Sequence, residues 1–394
     1  MADSIKNYFP SQVASDLEKI SPEYGLKVAR AIETEWFYGD SGNHRYRTNY
    51  NNYHKLRLYA RGEQSIQKYK DELSINGDLS YLNLDWKPVP IIPKFVDIVV
   101  NGISERTYDI KAFSQDPNGI SKRTDYMEGI LSDMRLKNFD SFFKENFNVS
   151  LASTPEEELP DSKEELELHM QLTYKQAIEI AEEQALNVLF EKNKYELTKK
   201  RFFYDLTVLG IGCIKNTFSK SEGIKIEYVD PINLVYSYTE SPYFEDIYYV
   251  GEIKTVPINE LKKEFPQLTN EDLKEIQNYS TTVKTRSSRY QYDQKDNNQI
   301  DVLYFNYKTY MNEVYKIKTT GTGANKAINK DDNFNPPSEV SDENFEKVSR
   351  SLEVLYEGVM ALGSSKLLKW EMAENMMRPK SDNTKVKMNY SIVA

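Results

Sequence analysis

The sequence predicts an α+β chain. In its first half, apolar residues recur at helical spacing, as in Leu26, Ala29, Ile32 and Trp36. From Ile211 onward they alternate instead, as in Ile224, Ile226 and Tyr228, which is the two-residue period of strands. The 394 residues are long enough for two or three domains and a sizeable core. Hydrophobic residues make up only 39%, but 12% are aromatic, which a disordered chain would not carry.

Ser21-Pro22-Glu23 reads as a helix start: a capping serine, proline at the first helical position and an early acid. Trp86-Lys87-Pro88-Val89-Pro90-Ile91-Ile92-Pro93 is a rigid extended lead-in, because its prolines fix φ and remove donors. The helix opened by Pro93 carries Phe95, Val96, Ile98, Val99, Val100 and Ile103. It is apolar nearly all round, so burial on several sides is expected, with Val96, Val99 and Ile103 in the core. Residues 107–113 read as a short strand, and Ser121 starts a helix bearing Met127, Ile130, Leu131 and Met134. Further helices are expected over 173–192 and 195–209, the second stopping at Gly210.

Strands then follow at 211–213, 224–228, 234–238 and 247–256, with a turn at Asp230-Pro231 and short helices over 261–265 and 272–276. Polar residues 280–299 read as a loop. A hairpin is expected from Ile300–Tyr310 and Val314–Lys318 around Met311-Asn312-Glu313. Another is expected from Leu352–Tyr356 and Val359–Leu362, continued by Leu367–Trp370. Residues 319–347 are rich in Gly, Asn, Asp, Ser and Pro and read as a mobile linker.

The net charge of −10 excludes a generally basic nucleic-acid coat. One segment departs from it. Over residues 44–70, Arg45, Arg47, Lys55, Arg57, Arg61, Lys68 and Lys70 face a single acid, Glu63, with Tyr46, Tyr50, Tyr53, Tyr59 and Tyr69 interleaved. Such a pattern contacts phosphates and stacks on bases, or forms a solvated helix face with half-buried tyrosines. Of these residues, Arg45, Arg47, Lys55, Arg57 and Arg61 are the candidate nucleic-acid or partner contacts. Residues 155–167 are the opposite, an acidic insertion of Glu156, Glu157, Glu158, Asp161, Glu164, Glu165 and Glu167 against Lys163. Like charges in a run point in different directions on a helix, so a solvated face is expected rather than a metal site.

Signs of catalysis are sparse. Cys213 is the only cysteine, which leaves no disulfide framework and no cysteine-based zinc site. The three histidines, His44, His54 and His169, are read as surface or structural. Gly358-Val-Met-Ala-Leu-Gly363-Ser364-Ser365-Lys366 has the two glycines of a phosphate-binding loop, but its lysine stands two positions late and its middle is strand-like. Gly210-Ile-Gly212 lacks the third glycine of a dinucleotide fingerprint and follows a helix. No cofactor and no metal are expected, and the chain is read as a non-enzyme. The N-terminus lacks the apolar core of a secretory leader, and the apolar run over 95–103 is too short to cross a bilayer, so no membrane partner is expected.

The order of the pieces is more specific than any one of them. The Trp-x-x-x-Pro lead-in meets Pro93-Lys-Phe-Val-Asp-Ile-Val-Val-Asn-Gly102-Ile-Ser-Glu, and then Tyr108-Asp-Ile-Lys-Ala-Phe113. Later come Asp205-Leu-Thr-Val-Leu-Gly210-Ile-Gly212, Gly223-Ile-Lys-Ile-Glu-Tyr-Val-Asp-Pro231-Ile-Asn-Leu-Val, Ile247-Tyr-Tyr-Val, and Ile258-Asn-Glu-Leu-Lys-Lys-Glu-Phe265-Pro266. Over about residues 50–390 this order resembles the portal, or head-to-tail connector, proteins of tailed bacteriophages, most of all those of crAss-like short-tailed phages.

The resemblance implies a portal-type subunit with a helical/β wing, stem helices and a β-rich clip. Residues 1–255 would be wing, with the acidic insertion over 155–170. Residues 256–280 would be stem-proximal helices, and 281–394 clip-like hairpins with the linker 319–347. A second stem helix, tunnel loop and crown are not identified in this chain. The implied function is a dodecameric ring at one capsid vertex, a conduit for packaging and ejecting double-stranded DNA. The implied partners are the terminase large subunit, adaptor or head-completion proteins and the major capsid protein. The implied location is the virion, after assembly in the host bacterial cytoplasm. An acidic wall would suit a channel through which DNA slides. The aromatics Tyr304, Tyr307, Tyr310, Tyr315, Tyr356 and Trp370 on the clip hairpins would be exposed and would either dock adaptor and terminase or join neighbouring clips. Two other readings stay open: another head or scaffold-associated structural protein, and a nucleotide-dependent enzyme using the Gly358–Lys366 loop.

Overall fold

The computed structural model describes residues 8–37, 45–63, 65–75, 78, 85–86, 89–105, 110–113, 116–147, 159–172, 174–219, 223–286, 298–319, 325–330, 345–364, 366–379 and 381–394. In chain order the helices are α1 (Asp16–Ile20), α2 (Pro22–Phe37), α3 (Arg45–Arg61), α4 (Gln67–Leu73), α5 (Ile92–Ser104), α6 (Pro117–Phe147), α7 (Lys163–Leu172), α8 (Ala177–Lys192), α9 (Tyr195–Leu209), α10 (Ile258–Glu264) and α11 (Asn270–Arg286). The strands are β1 (Gly212–Ser219), β2 (Gly223–Val229), β3 (Leu234–Tyr236), β4 (Tyr249–Pro257), β5 (Gln299–Thr319), β6 (Asn325–Lys330), β7 (Phe345–Ala361), β8 (Leu367–Met372) and β9 (Tyr390–Val393). Mixed helix and sheet in this order is an α+β chain, as the two hydrophobic periods predict.

The chain divides into two compact units. One comprises residues 1–104 and 197–394, the other residues 105–196. The first unit is built on two antiparallel sheets. The smaller has the order β2-β1-β9, and the larger runs β3-β4-β5-β7-β8, with β6 added to the distal half of β5. The domain boundary expected at 255 therefore falls inside β4, and residues on both of its sides share one sheet.

Helix α2 starts as the sequence predicts, with Ser21 Oγ accepting the Tyr24 N–H at 3.3 Å. Its buried stripe of Tyr24, Val28, Ala29 and Ile32 packs on Tyr249, Ile253, Leu303, Phe305 and Met360 of the larger sheet. Each fully buried aliphatic side chain in such a stripe contributes roughly 1.5–3 kcal/mol. Helices α10 and α11 cover another part of the sheet through Leu261, Phe265 and Ile276, which meet Ile300, Val302 and Val359. The smaller sheet buries Cys213, Val229, Tyr390 and Ile392 with Leu234 and Val250.

Both expected hairpins are corrected. Met311-Asn312-Glu313 has no glycine or proline to enforce a turn, and these residues pair with Leu352, Ser351 and Arg350, so β5 runs straight through them. Strand β7 likewise passes through Gly358. A Cβ there would collide with the ring of Phe305, its paired residue on β5, so the glycine makes room for that ring and is not a turn. The two long strands pair with each other from Val302–Ala361 to Lys318–Phe345. The linker expected over 319–347 contains strand β6, while 320–324 and 331–344 lie outside the described residues. Helix α11 extends to Arg286, into the segment read as a loop from 280; of the rest, residues 287–297 lie outside the described residues. Residues 110–113 form no strand, and 106–109 lie outside the described residues.

Helix α5 is also corrected. Of its apolar residues only Val100 is buried, and Val96 and Ile103 are half-buried. Ile92, Phe95, Ile98 and Val99 are exposed, with Phe95 at 61% and Ile98 at 59%. Among the described residues, α5 packs along one side on α3.

The second unit is helical. Ile130 of α6 packs with Leu159 and with Leu166 and Met170 of α7. Arg123 donates to the Met170 carbonyl at 2.7 Å. Helix α8 opens with a reciprocal cap in which Glu179 accepts the Gln176 N–H at 3.0 Å.

Candidate interaction surfaces

The basic helix is built around one internal anchor. The Arg57 guanidinium donates to Asp230 at 2.9 and 3.0 Å and to Asp205 at 2.8 Å, and the Tyr228 hydroxyl donates to the other Asp205 oxygen. These contacts tie α3 to α9 and to the 3-10 turn Pro231–Asn233, which Asp230 caps. Burial pushes the Asp205 carboxyl up, and the Tyr228 and Arg57 contacts hold it back. Arg57 is thus consumed as a strut and corrected as a nucleic-acid contact. Lys55 is exposed, and Arg61 is exposed 3.7 Å from Glu63. Arg45 and Arg47 lie in the backbone of α3, and their side chains fall outside the described residues, as does that of Lys68.

The aromatic set is corrected most strongly. Tyr307 and Tyr356 are fully buried, and Trp370 stacks on Tyr356 at 4.8 Å with the rings 9° apart. Phe305, Tyr307 and Tyr24 surround the same indole at 6.0–6.4 Å. The indole N–H donates to the Lys19 carbonyl at 3.0 Å, and a Cβ at Gly25 would collide with the ring. Tyr304 is half-buried and donates to Glu264 at 2.7 Å. Tyr310 is covered by the buried Lys19 ammonium, which lies 3.9 Å from its ring centre and donates to its carbonyl at 2.6 Å. Tyr315, half-buried, donates to Glu313 at 2.9 Å. Period-two patterning placed these residues on strands but could not say that α1 and α2 cover Tyr307, Tyr310 and Trp370 or that α10 meets Tyr304.

The glycine loop is a strand and a tight turn. Residues 358–361 belong to β7, and Gly363, at φ +77°, donates its N–H to Glu33 at 2.7 Å. Lys366 is held by Asp272 and, at 2.5 Å, by Glu275. Cys213 is fully buried, and burial pushes its thiol well up, which makes it a poor nucleophile. His169 stands with its Nε2 3.3 Å from the Tyr126 hydroxyl, and His54 is exposed. His44 lies outside the described residues.

In the acidic insertion, residues 155–158 lie outside the described residues. The rest opens α7, where Glu164 and Glu165 occupy the first turn and oppose the partial positive charge of the helix start. Asp161 pairs with Lys137 at 2.5 Å. Among the described residues no three His, Cys, Asp or Glu stand close enough to share a metal ion. No helix among them is long and apolar enough to cross a membrane.

Sequence reading missed an ionic seam between the two sheets. Lys215 of β1 and Lys254 of β4 approach Glu252 at 3.8 and 3.6 Å, and Lys254 reaches Glu227 of β2 at 3.4 Å. The Lys215 ammonium lies 5.1 Å from the Tyr304 ring centre and 4.9 Å from that of Tyr390. Burial lowers the Lys215 ammonium and raises the Glu252 carboxyl, and the two charges oppose both shifts. The signal was the charged residues at alternate positions of otherwise apolar strands.

The surface left over is the outer side of α5 with its lead-in. Val89, Ile91, Ile92, Phe95, Ile98 and Val99 are all exposed there. Ile92, Phe95, Ile98 and Val99 belong to α5 and Val89 and Ile91 to its lead-in, and together they make this a candidate interaction surface. No protein-family model matches the chain, and no curated protein matches it in sequence.

Proposed function

We propose that this chain is the subunit of a portal ring, a structural conduit for double-stranded DNA at one capsid vertex. The observation that carries the reading is the exposed apolar row on α5. It falls in the same Pro93–Glu105 stretch in which the sequence resembles portal proteins. A helix that leaves Phe95 and Ile98 in water needs neighbours, and assembly supplies them. Burying each such side chain contributes roughly 1.5–3 kcal/mol. Ring formation, terminase and adaptor docking, and residence in the virion belong to this proposal. So does the division into wing, stem and clip.

Two further findings favour a structural role over a nucleotide-dependent enzyme. The glycine loop is occupied by Glu33, and its lysine is held by two carboxylates. The strongest internal charges, at Arg57 and Lys215, are spent on joining elements. Negative-stain microscopy of the purified chain tests the proposal. Closed rings with a central hole are the expected particle. Discrete small globules at every concentration tried would sink it, and saturable nucleotide binding would move the reading to the enzyme.

A further inference from the structure

We propose that the outward side of α1, with the turn before it, is the second half of a head-to-tail contact between copies of this chain and receives the apolar row of α5 from the next copy. The proposal rests on the ring reading above and names the surface that meets α5. Helix α1 is mounted with its charged side inward. Lys19 is fully buried, donates to the Tyr310 carbonyl at 2.6 Å and lies over that ring. Asp16 accepts the Asn312 N–H at 3.2 Å, and the Lys19 carbonyl accepts the Trp370 indole N–H at 3.0 Å.

This mounting sets the apolar residues outward. Leu17 is 84% exposed and Val13, in the turn, 81%, with Ile20 and Tyr8 exposed as well. Leu17 and Ile20, three apart, share one side of the helix. Lysine is almost never fully buried unless paired, whereas leucine is most often inside. A five-residue helix held only by hydrophobicity would therefore sit the other way round. Specific polar contacts hold α1 in the orientation that presents Leu17 to a partner.

Symmetry and area select the partner. Closed rings are built from heterologous contacts, in which each copy offers two different patches, whereas a patch that meets itself closes a dimer. The α5 row is one patch, and α1 supplies a different one on the same compact unit. With large side chains of about 150–250 Å² scaled by their exposed fractions, each row offers roughly 600 Å². One row against the other buries about 1,200 Å², the lower end of a specific interface. The rims match in charge. Glu18 is exposed next to Leu17, and Lys94 is exposed one turn before Ile98 on α5. Asp97, the acid of α5, is on the side whose charge reaches Tyr204 of α9.

The test is disulfide capture in the full chain, whose one cysteine, Cys213, is fully buried. Chains carrying Leu17→Cys and chains carrying Phe95→Cys are assembled together and oxidised with copper–phenanthroline. A covalent dimer is expected from the mixture and from neither variant alone. Separately, Leu17→Asp/Ile20→Asp is expected to raise the concentration needed for assembly by roughly 100-fold or more in sedimentation velocity, with melting unchanged. If that variant melts lower than the parent, the cysteine pair decides, because it keeps the surface apolar. A parent that stays a single chain overturns the ring reading and this pairing with it. Rings formed equally by the parent and by the folded Leu17→Asp/Ile20→Asp variant overturn the pairing and leave the ring reading standing. Dimers from either cysteine variant alone overturn it in favour of a two-fold contact. Capture of Phe95→Cys by Val188→Cys in place of Leu17→Cys overturns it in favour of α8. Rings in which the Leu17→Cys thiol stays open to maleimide overturn it in favour of another protein.

Discussion

Replacing Trp370 by alanine separates a core pillar from a docking residue. The indole stacks on Tyr356, is ringed by Phe305, Tyr307 and Tyr24, and donates to the Lys19 carbonyl. Truncating a buried tryptophan costs about 3–5 kcal/mol. Trp370 is only half-buried, which places its packing loss at the lower end, and the lost hydrogen bond adds about 1 kcal/mol. The expected total is about 3–4 kcal/mol. With a denaturant slope of about 2 kcal/mol per molar, the urea midpoint falls by roughly 1.5–2 M. Trp370→Phe keeps the stack and loses the donor, so it should cost about 1–2 kcal/mol. The assay is urea unfolding of the chain followed by tryptophan-independent circular dichroism. A loss below about 1 kcal/mol for Trp370→Ala would refute the pillar and return the residue to the surface.

Three other outcomes follow from the same geometry. Arg57→Met leaves Asp205 buried without its cation, so a loss of about 3 kcal/mol is expected in thermal or urea unfolding, with Arg57→Lys recovering only part because it lacks the fork. Gly363→Val forces a β-branched residue to φ +77° and should cost about 1–3 kcal/mol, while calorimetry finds no saturable ATP heat in the parent chain. Burial raises the Tyr356 hydroxyl from 10.0 to about 12. The folded state therefore holds that proton more tightly than the unfolded chain, so the stabilisation is complete below pH 10 and is lost as pH rises from 10 towards 12. Tyr356→Phe should flatten that alkaline decline in a melting series, and an unchanged slope would remove Tyr356 as its source.

Local signals were legible wherever they decide structure alone. Ser21-Pro22 fixed the start of α2, Gly210 at φ +74° fixed the end of α9, and Asp230-Pro231 produced a capped turn. Long-range pairing was not legible. The chain around Met311-Asn312-Glu313 looks like a break between strands, but its partner is Leu352-Ser351-Arg350, about forty residues away. Helix α5 was misread for a related reason. An apolar helix reports that water must be kept from it, and the sequence does not say whether its own chain or another does so. The basic helix misled because charge pattern does not distinguish Lys55, which meets solvent, from Arg57, which meets Asp205 and Asp230. The aromatic strands misled because the cover of Tyr310 and Trp370 comes from α1, 291 and 351 residues earlier.

Sedimentation velocity of the parent chain beside a Phe95→Asp/Val99→Asp variant tests the central claim most directly. Both side chains are exposed, so the variant should fold and melt like the parent. Twelve copies of a 45.9 kDa chain come to about 550 kDa, and the parent is expected to sediment as a closed species of that order. The variant, with a charge on the apolar row, should sediment as the single chain. A parent that stays at 45.9 kDa, or a variant that assembles as well as the parent, would contradict the account.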